Sequence, residues 1–331
     1  MQQTQRGVSW VGCGSARPST LLSNADLSRV VDTSDEWITT RTGIQQRYLV
    51  QGPESLSSLA AAAGQSALAM ATTDAAEVDL IILATSTPDD LFGSAAQVQA
   101  QLGATRAVAF DLTAACSGFV FALVTAAQFM RTGVYQTVLV IGADVLSRWV
   151  DWTDRRTCVL FGDGAGAVVL KAADRDRLLG FEMHSDGNLN GCLTLAYGAT
   201  DHPLVDDTTT QQGTFQPITM NGKEVYRFAV KRVPEVIEKA LFHAGLTAQD
   251  VDWLLLHQAN QRILDAVADR LGVPHGRVIS NMARHGNTSA ASIPLALDEA
   301  VRAGHIKPGD VIASSGFGAG LTWGAAIFEW G

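Results

Sequence analysis

Three residue types in this chain could together carry acyl chemistry. Cys116 lies in "DLTAACSGFVFAL" (residues 111–123), where a strand-like "AVAFDL" gives way to an apolar run. A helix starting there would present unpaired N–H groups and partial positive charge to the sulfur. That setting favours a thiolate, so the pattern predicts a nucleophile with a lowered pKa. Gly118 leaves room for a close approach. The plainer meaning is a small buried core residue, because free cysteines are commonly buried. His257 ends an apolar strand in "LLLHQANQRI", followed at once by Gln and Asn, an unusual finish for a plain core strand. Asn287 stands in "NMARHGNTSAAS", where Asn beside Gly is also ordinary turn chemistry. His285 in the same stretch competes with His257; His184, His202, His243, His275 and His305 fall in loops or helix flanks.

The remaining polar motifs suggest binding. "SGFGAGLTWGAAIFEW" (315–330) has the glycines of a dinucleotide loop, but a strand follows them where a helix would be needed. A hairpin whose backbone N–H points at a developing oxyanion fits better. "FGDGAGAVVL" (161–170) reads as a close strand approach with a structural role. In "DTSDEWITTRTGI", Trp37 and Arg41 could stack on a planar base and pair with phosphate. Ser34 or Thr33 would cap the same helix. Arg227 and Lys231 share a helix face, and with Arg262 could form a basic spot; a solvated face is the usual meaning of such charges.

The elements that must position these residues occur twice. "VDLIIL" (78–83) returns as "VDWLLL" (251–256), each after a helix-like stretch and a polar turn. "QLGATRAVAFDLTAACSGFVFAL" matches "RLGVPHGRVISNMARHGNTSAASIPLAL", and "RTGVYQTVLVIGAD" matches "RAGHIKPGDVIASSG". The offset stays between 169 and 174 residues. Unalternated apolar strands with helices between them predict parallel strands covered on both faces. Two related α/β halves, 1–175 and 176–331, would stack around shared central helices. Their strand ends would bring Cys116, Asn287 and His257 together, with His257 equivalent to about Thr85. Residues 184–216, rich in Gly, Thr and Asp, read as a long irregular excursion beside the site.

Bulk properties exclude other classes. The chain has 331 residues, 47% hydrophobic and 17% charged, with net charge −9. That describes a compact globular protein without the basic face of a nucleic-acid binder. No apolar run reaches the roughly 18 residues of a membrane span, and "MQQTQRGVSWVGCG" lacks the apolar core of a secretory leader. The four cysteines are far apart with no metal-ligand spacing, which suggests free thiols and a cytoplasmic protein.

Taken together, "TAACSGF", "HQAN", "GNTSAASIP", "GFGAGLTWG", "DTSDEWITTRTGI" and "LFGDGAGA" resemble the β-ketoacyl-acyl carrier protein synthase III family, from about residue 7 to the end. The resemblance implies a thiolase-like fold in five αβαβα layers and a homodimer. It implies an acyltransferase without metal or other cofactor: acetyl-CoA acylates the cysteine, and malonyl-acyl carrier protein then decarboxylates and condenses with it. A related ketosynthase priming specialised polyketides would look the same, and a cysteine thioester hydrolase is a more distant alternative. By carry-over, Cys116 is the nucleophile, His257 and Asn287 hold the enolate oxygen, and the amides of Cys116 and Ala319 hold the oxyanion. Thr33, Trp37, Arg41 and Arg155 would meet the coenzyme A nucleotide; Gly222, Ala259 and Asn260 would line the pantetheine tunnel. Phe92 would enter the partner subunit's acyl pocket, and Arg227, Arg262 and Arg270 would meet the acidic carrier protein. Lys223 departs from the common Asn, and Ala319 from the Gly of some members.

Overall fold

The computed structural model describes residues 6–331, so the leader reading of the extreme N-terminus lies partly outside the described residues. Two mixed sheets carry the molecule. In the first, the strand order is Gly7–Ala16, Gly164–Ala173, Thr137–Asp144, Leu80–Ala84, Val108–Leu112. In the second it is Leu178–Ser185, Thr322–Glu329, Val311–Gly318, Trp253–Leu256. The orders correspond strand for strand. Where the second sheet lacks a fifth strand, a single parallel bridge, Leu254 to Val278, marks its place. Leu80 and Trp253 open equivalent strands, as do Thr137 and Val311. The helices Gly118–Arg131 and Ser292–Arg302 also start 174 residues apart.

Each strand has two apolar faces because each sheet is covered on both. Leu80, Ile82 and Ala84 face a central cluster with Phe119, Leu123, Ile293 and Leu297, whereas Ile81 and Leu83 face Leu59, Ala63 and Val98 outside. In the second sheet Leu255 joins the central cluster, and Leu254 and Leu256 pack outward against Val233, Ile237 and Leu264. The helices Leu56–Met70 and Ala95–Leu102 thus cover one outer face, and Gly222–Ala244 and Gln261–Leu271 the other. Gly118–Arg131 and Ser292–Arg302 lie between the sheets. This is the αβαβα stack. Alternation is missing from "VDLIIL" because both faces are dry. Each fully buried aliphatic side chain there contributes about 1.5–3 kcal/mol.

The 184–216 segment is more regular than its composition suggests. Tyr197–Val205 and Thr208–Phe215 pair as an exposed antiparallel hairpin. Its Thr-rich sequence satisfies strand pairing without a buried face. Residues 315–330 form the expected hairpin between Val311–Gly318 and Thr322–Glu329. Residues 164–173 form a strand, as expected for a structural role.

Candidate active site

A cavity of about 410 Å³ runs in from the surface. Cys116, His257, Asn287, Phe317 and Gly318 line its buried part, and Trp37, Arg41, Arg155, Arg156, Lys223 and Arg262 its exposed part. The three sequence candidates for chemistry therefore meet at one place. They come from three loops at equivalent ends of the two sheets.

Cys116 occupies the short 3-10 turn Ala115–Ser117 that leads into the 14-residue helix Gly118–Arg131. Ala115 holds a left-handed φ of +46°, which turns the sulfur toward the cavity. The strand Val311–Gly318 passes directly behind it. A Cβ at residue 318 would sit 2.5 Å from the Cys116 backbone nitrogen, so only glycine fits there. The expected lowering of the thiol pKa is not what this site gives: burial pushes Cys116 up to about 12, with the Asp144 charge adding to the rise. A hydrogen bond from Ser289 Oγ, 3.2 Å from Sγ, works the other way. Desolvation outweighs the helix terminus because the sulfur is nearly closed off from water.

His257 follows the last residue of the Trp253–Leu256 strand, and its N–H donates to the Ser315 carbonyl at 2.8 Å. The register makes Ala84 its counterpart, one residue before the expected Thr85. Ala84 pairs with Gly142, and Leu256 with Ser315, one short of Gly316. Nδ1 of His257 lies 2.7 Å from Ser292 Oγ. That hydroxyl also accepts the Gln258 N–H at 3.3 Å and, among the described residues, has no hydrogen-bond acceptor other than Nδ1, so its proton points to Nδ1. The ring proton is then on Nε2, facing the cavity. Burial drives the His257 pKa down to about 3, so the ring is neutral. Phe317 stands edge-on at 5.4 Å between centroids.

Asn287 is fixed by its own loop. Its Oδ1 accepts the Ser289 N–H at 2.9 Å, which leaves the NH2 for the cavity. Its N–H donates to the Leu160 carbonyl at 2.9 Å, and its carbonyl accepts from Gly162 at 3.0 Å. The competitor His285 is buried against Glu299, 2.7 Å away, and takes no part in the cavity.

The cavity mouth is cationic on a chain of net charge −9. Ser34 caps the Asp35–Thr42 helix by accepting the Trp37 N–H at 3.1 Å. The guanidinium carbons of Arg41 and Arg155 stand 4.5 and 5.3 Å from the Trp37 ring centroid. At that spacing Arg41 touches the indole, so a planar base between them requires Arg41 to swing out. Thr33 does not line the cavity; it follows Asp32, whose carbonyl accepts from Arg155 at 2.9 Å, and its buried hydroxyl has no partner among the described residues. Gly222 and Ala259 line the cavity. Asn260 does too, although its amide is engaged at both ends: Nδ2 donates to the Arg41 carbonyl at 3.0 Å, and Oδ1 caps the Gln261–Leu271 helix. Arg262 sits at the mouth over the Tyr226 ring, 5.4 Å from its centroid.

Arg227 and Arg270 are exposed outside the cavity. Arg227 pairs with Glu224 at 2.8 Å, and Arg270 lies 3.8 Å from Glu235. Phe92 is 100% exposed and away from this cavity. Ala319 lies between the lining residues Gly318 and Leu321. Among the described residues, no His/Cys/Asp/Glu group is arranged to hold a metal, and no helix is long and apolar enough to cross a membrane.

Four further residues shape the site: Asp144, Ser289, Ser292 and Gly318. Asp144 is fully buried and accepts from Ser86 N–H (2.8 Å), Ala290 N–H (3.1 Å) and the hydroxyls of Thr85 (3.2 Å) and Thr87 (3.0 Å). Asp144, Ser289 and Ser292 sit in the repeated segments, where a residue-by-residue match of the two copies marks them, and Gly318 lies two residues beyond the last match.

The five-layer stack of two related sheets, with Cys, His and Asn converging where they abut, defines a class: the thiolase-fold condensing enzymes. Models of 3-oxoacyl-[acyl-carrier-protein] synthase III match residues 110–187, and of its C-terminal part residues 241–330. The β-ketoacyl-[acyl-carrier-protein] synthase III of Synechococcus elongatus is 72% identical over 326 residues, covering 98% of this chain and 97% of that protein. The crystal structure of 3-oxoacyl-[acyl-carrier-protein] synthase III from Aquifex aeolicus superposes with a TM-score of 0.90 at 44% identity, covering 98% of this chain and all of that one. The priming β-ketosynthase of the R1128 polyketide pathway also reaches 0.90, at 35% identity, covering 98% of this chain and 97% of that one. This chain belongs to the 3-oxoacyl-[acyl-carrier-protein] synthase III family.

Proposed function

We propose that Cys116, His257 and Asn287 carry the reaction of this condensing enzyme, with acetyl-CoA as acyl donor and malonyl-acyl carrier protein as extender. The protein is the acyltransferase that initiates fatty acid synthesis by carbon–carbon bond formation. In the first half-reaction Cys116 Sγ attacks the acetyl thioester carbonyl. The amides of Cys116 and Ala319 hold the resulting oxyanion, and coenzyme A leaves with the proton that Cys116 gives up. In the second, the malonyl carboxylate leaves as CO2, and its electron pair becomes the enolate of the thioester. That carbanion attacks the acetyl-cysteine carbonyl, and collapse of the tetrahedral adduct expels the Cys116 thiolate.

The observation that carries this reading is a neutral donor pair. His257 offers Nε2–H and Asn287 its NH2 to one cavity that also holds Cys116. Two neutral donors suit an enolate oxygen; they do not suit a protease, where the Asn would orient the His. The cationic mouth supports binding of the coenzyme A phosphates by Arg41 and Arg155, with Trp37 and Thr33 at the base. Gly222, Ala259 and Asn260 would line the pantetheine path, and Lys223 adds a charge there. Arg227, Arg262 and Arg270 would receive the acidic carrier protein. The fully exposed Phe92 fits a homodimer in which it enters the partner's acyl pocket. The molecule would then divide at residues 175 and 176 into a half carrying the nucleophile and a half carrying the donors.

Intact-mass measurement after incubation with acetyl-CoA tests the first half-reaction. One acetyl group is expected, lost in Cys116→Ala. Malonyl-dependent CO2 release tests the second; acyl-CoA hydrolysis without it would instead mean a thioesterase. Starter preference among acyl-CoAs distinguishes a polyketide-priming relative.

A further inference from the structure

We propose that Ser289 is a further catalytic residue, donating its hydroxyl hydrogen bond to the Cys116 sulfur as thiolate during acylation and again when the thiolate is expelled. This rests on Cys116 being the nucleophile.

Ser289 is 2% exposed, and its Oγ stands 3.2 Å from Sγ. A donor that close to a sulfur shielded from water replaces solvation that burial removes, and a charge-assisted bond is the stronger kind. The loop is held rigidly for this. Asn287 Oδ1 accepts the Ser289 N–H, and Asp144 accepts the Ala290 N–H at 3.1 Å from within its cluster of Ser86, Thr85 and Thr87. Asp144 also lies within reach of the Ser289 hydroxyl as a competing acceptor, so it is a positioning residue that sets how that one proton is shared with the sulfur.

The obvious alternative is that Ser289 only makes the turn, since its φ is +52°. The molecule contains its own control. The counterpart residue, Ala115, makes the same left-handed turn at φ +46° without a hydroxyl. The backbone therefore asks for the turn in both copies, and the hydroxyl is present only in the copy whose turn faces the thiol. The titratable groups facing Cys116 are Asp144, from the Thr137–Asp144 strand, and His257. The Val311–Gly318 strand and the Ser289–Ala291 turn bring only uncharged side chains to it. Asp144 opposes the thiolate and His257 is neutral, so the hydroxyl is the side-chain group that favours ionisation. No proton is transferred by Ser289. The bond formed is Sγ to acyl carbon, the bond broken is acyl carbon to coenzyme A sulfur, and the thiol proton ends on the departing coenzyme A.

The test is the pH dependence of Cys116 alkylation by iodoacetamide in the full-length protein, with Cys116→Ala as background. Ser289→Ala keeps a Cβ; Ser289→Gly removes the hydroxyl while easing the turn. Both are expected to shift the alkylation profile up by about one pH unit, or about tenfold slower at fixed pH. Acetylation by acetyl-CoA should slow by a similar factor, and the melting temperature of Ser289→Gly should match the parent. Profiles of both variants that superimpose on the parent would overturn the proposal. A parent protein that alkylates normally but takes no acetyl group would instead overturn the nucleophile reading beneath it.

Discussion

The two copies of the repeat share a backbone and have exchanged side chains at four linked positions. Ala84 ends a strand in the first copy where His257 ends one in the second. Gly118 starts the central helix beside Ala84; Ser292 starts the other and holds His257. Cys116 has Ala290 as its counterpart, and Asp144 has Gly318. The last exchange is the most instructive. In the first copy's sheet, Asp144 reaches the Ala290 N–H and occupies it. In the second, Gly318 has no side chain to place against the Cys116 N–H, where a Cβ would already lie at 2.5 Å. One amide is consumed as a structural anchor, and its twin is kept clear to serve as the proposed oxyanion donor. The fold thus supplies two equivalent helix entrances, and substitution has given one the proposed nucleophile and the other its support.

The largest expected effect comes from erasing that difference. Gly318→Ala should lower acetylation of Cys116 by about a hundredfold or more, the scale of losing an oxyanion donor. Intact-mass kinetics would read it, and a rate within threefold of the parent would remove Gly318 from the account. The donor side should fail separately. His257→Ala and Asn287→Ala are expected to take the acetyl group yet to release CO2 from the malonyl substrate about a hundredfold more slowly. Loss of both half-reactions together would blur the division of labour between the copies. Ser292→Ala copies the small residue of the first half. It should free Nδ1, let the ring proton sit on either nitrogen and slow decarboxylation by about tenfold, with acetylation unchanged.

The pH dependence is subtler. The His257 pKa is depressed to about 3 in the folded protein, whereas an unfolded histidine titrates near 6.5. Below pH 6.5 the unfolded chain therefore binds a proton that the folded one refuses, and stability falls as the pH is lowered toward 3. The melting temperature of His257→Asn should decline less steeply from pH 7 to 5 than that of the parent. For the same reason the decarboxylation rate should show no inflection near pH 6.5. The smallest effect belongs to the mouth. Arg41→Ala is expected to raise KM for acetyl-CoA by about two- to fivefold with kcat unchanged, because a solvent-exposed cation contributes modestly.

Much of this was legible in the chain. The near-constant offset announced two stacked α/β halves, because equal backbones need equal apolar patterns. "HQAN", "TAACS" and "GNTSAAS" named the residues that meet, since strand ends of related sheets converge. The hairpin in "GFGAGLTWGAAIFEW" was readable because a strand followed its glycines. What misled was local. Gly, Thr and Asp made 184–216 look irregular, yet cross-strand pairing outside the core ordered Tyr197–Val205 against Thr208–Phe215. The helix entrance suggested an acidic thiol at Cys116, but burial, which no short motif reports, pushed it upward.

Sequence by itself determined the residue types, the repeat and the class of chemistry, because these depend on patterns along the chain. Tertiary structure alone decided which nitrogen of His257 keeps its proton, that Ser289 touches the sulfur, and which amide Asp144 occupies. Each of those is set by the distance between atoms that lie 35 to 173 positions apart along the chain, and by how little water reaches them.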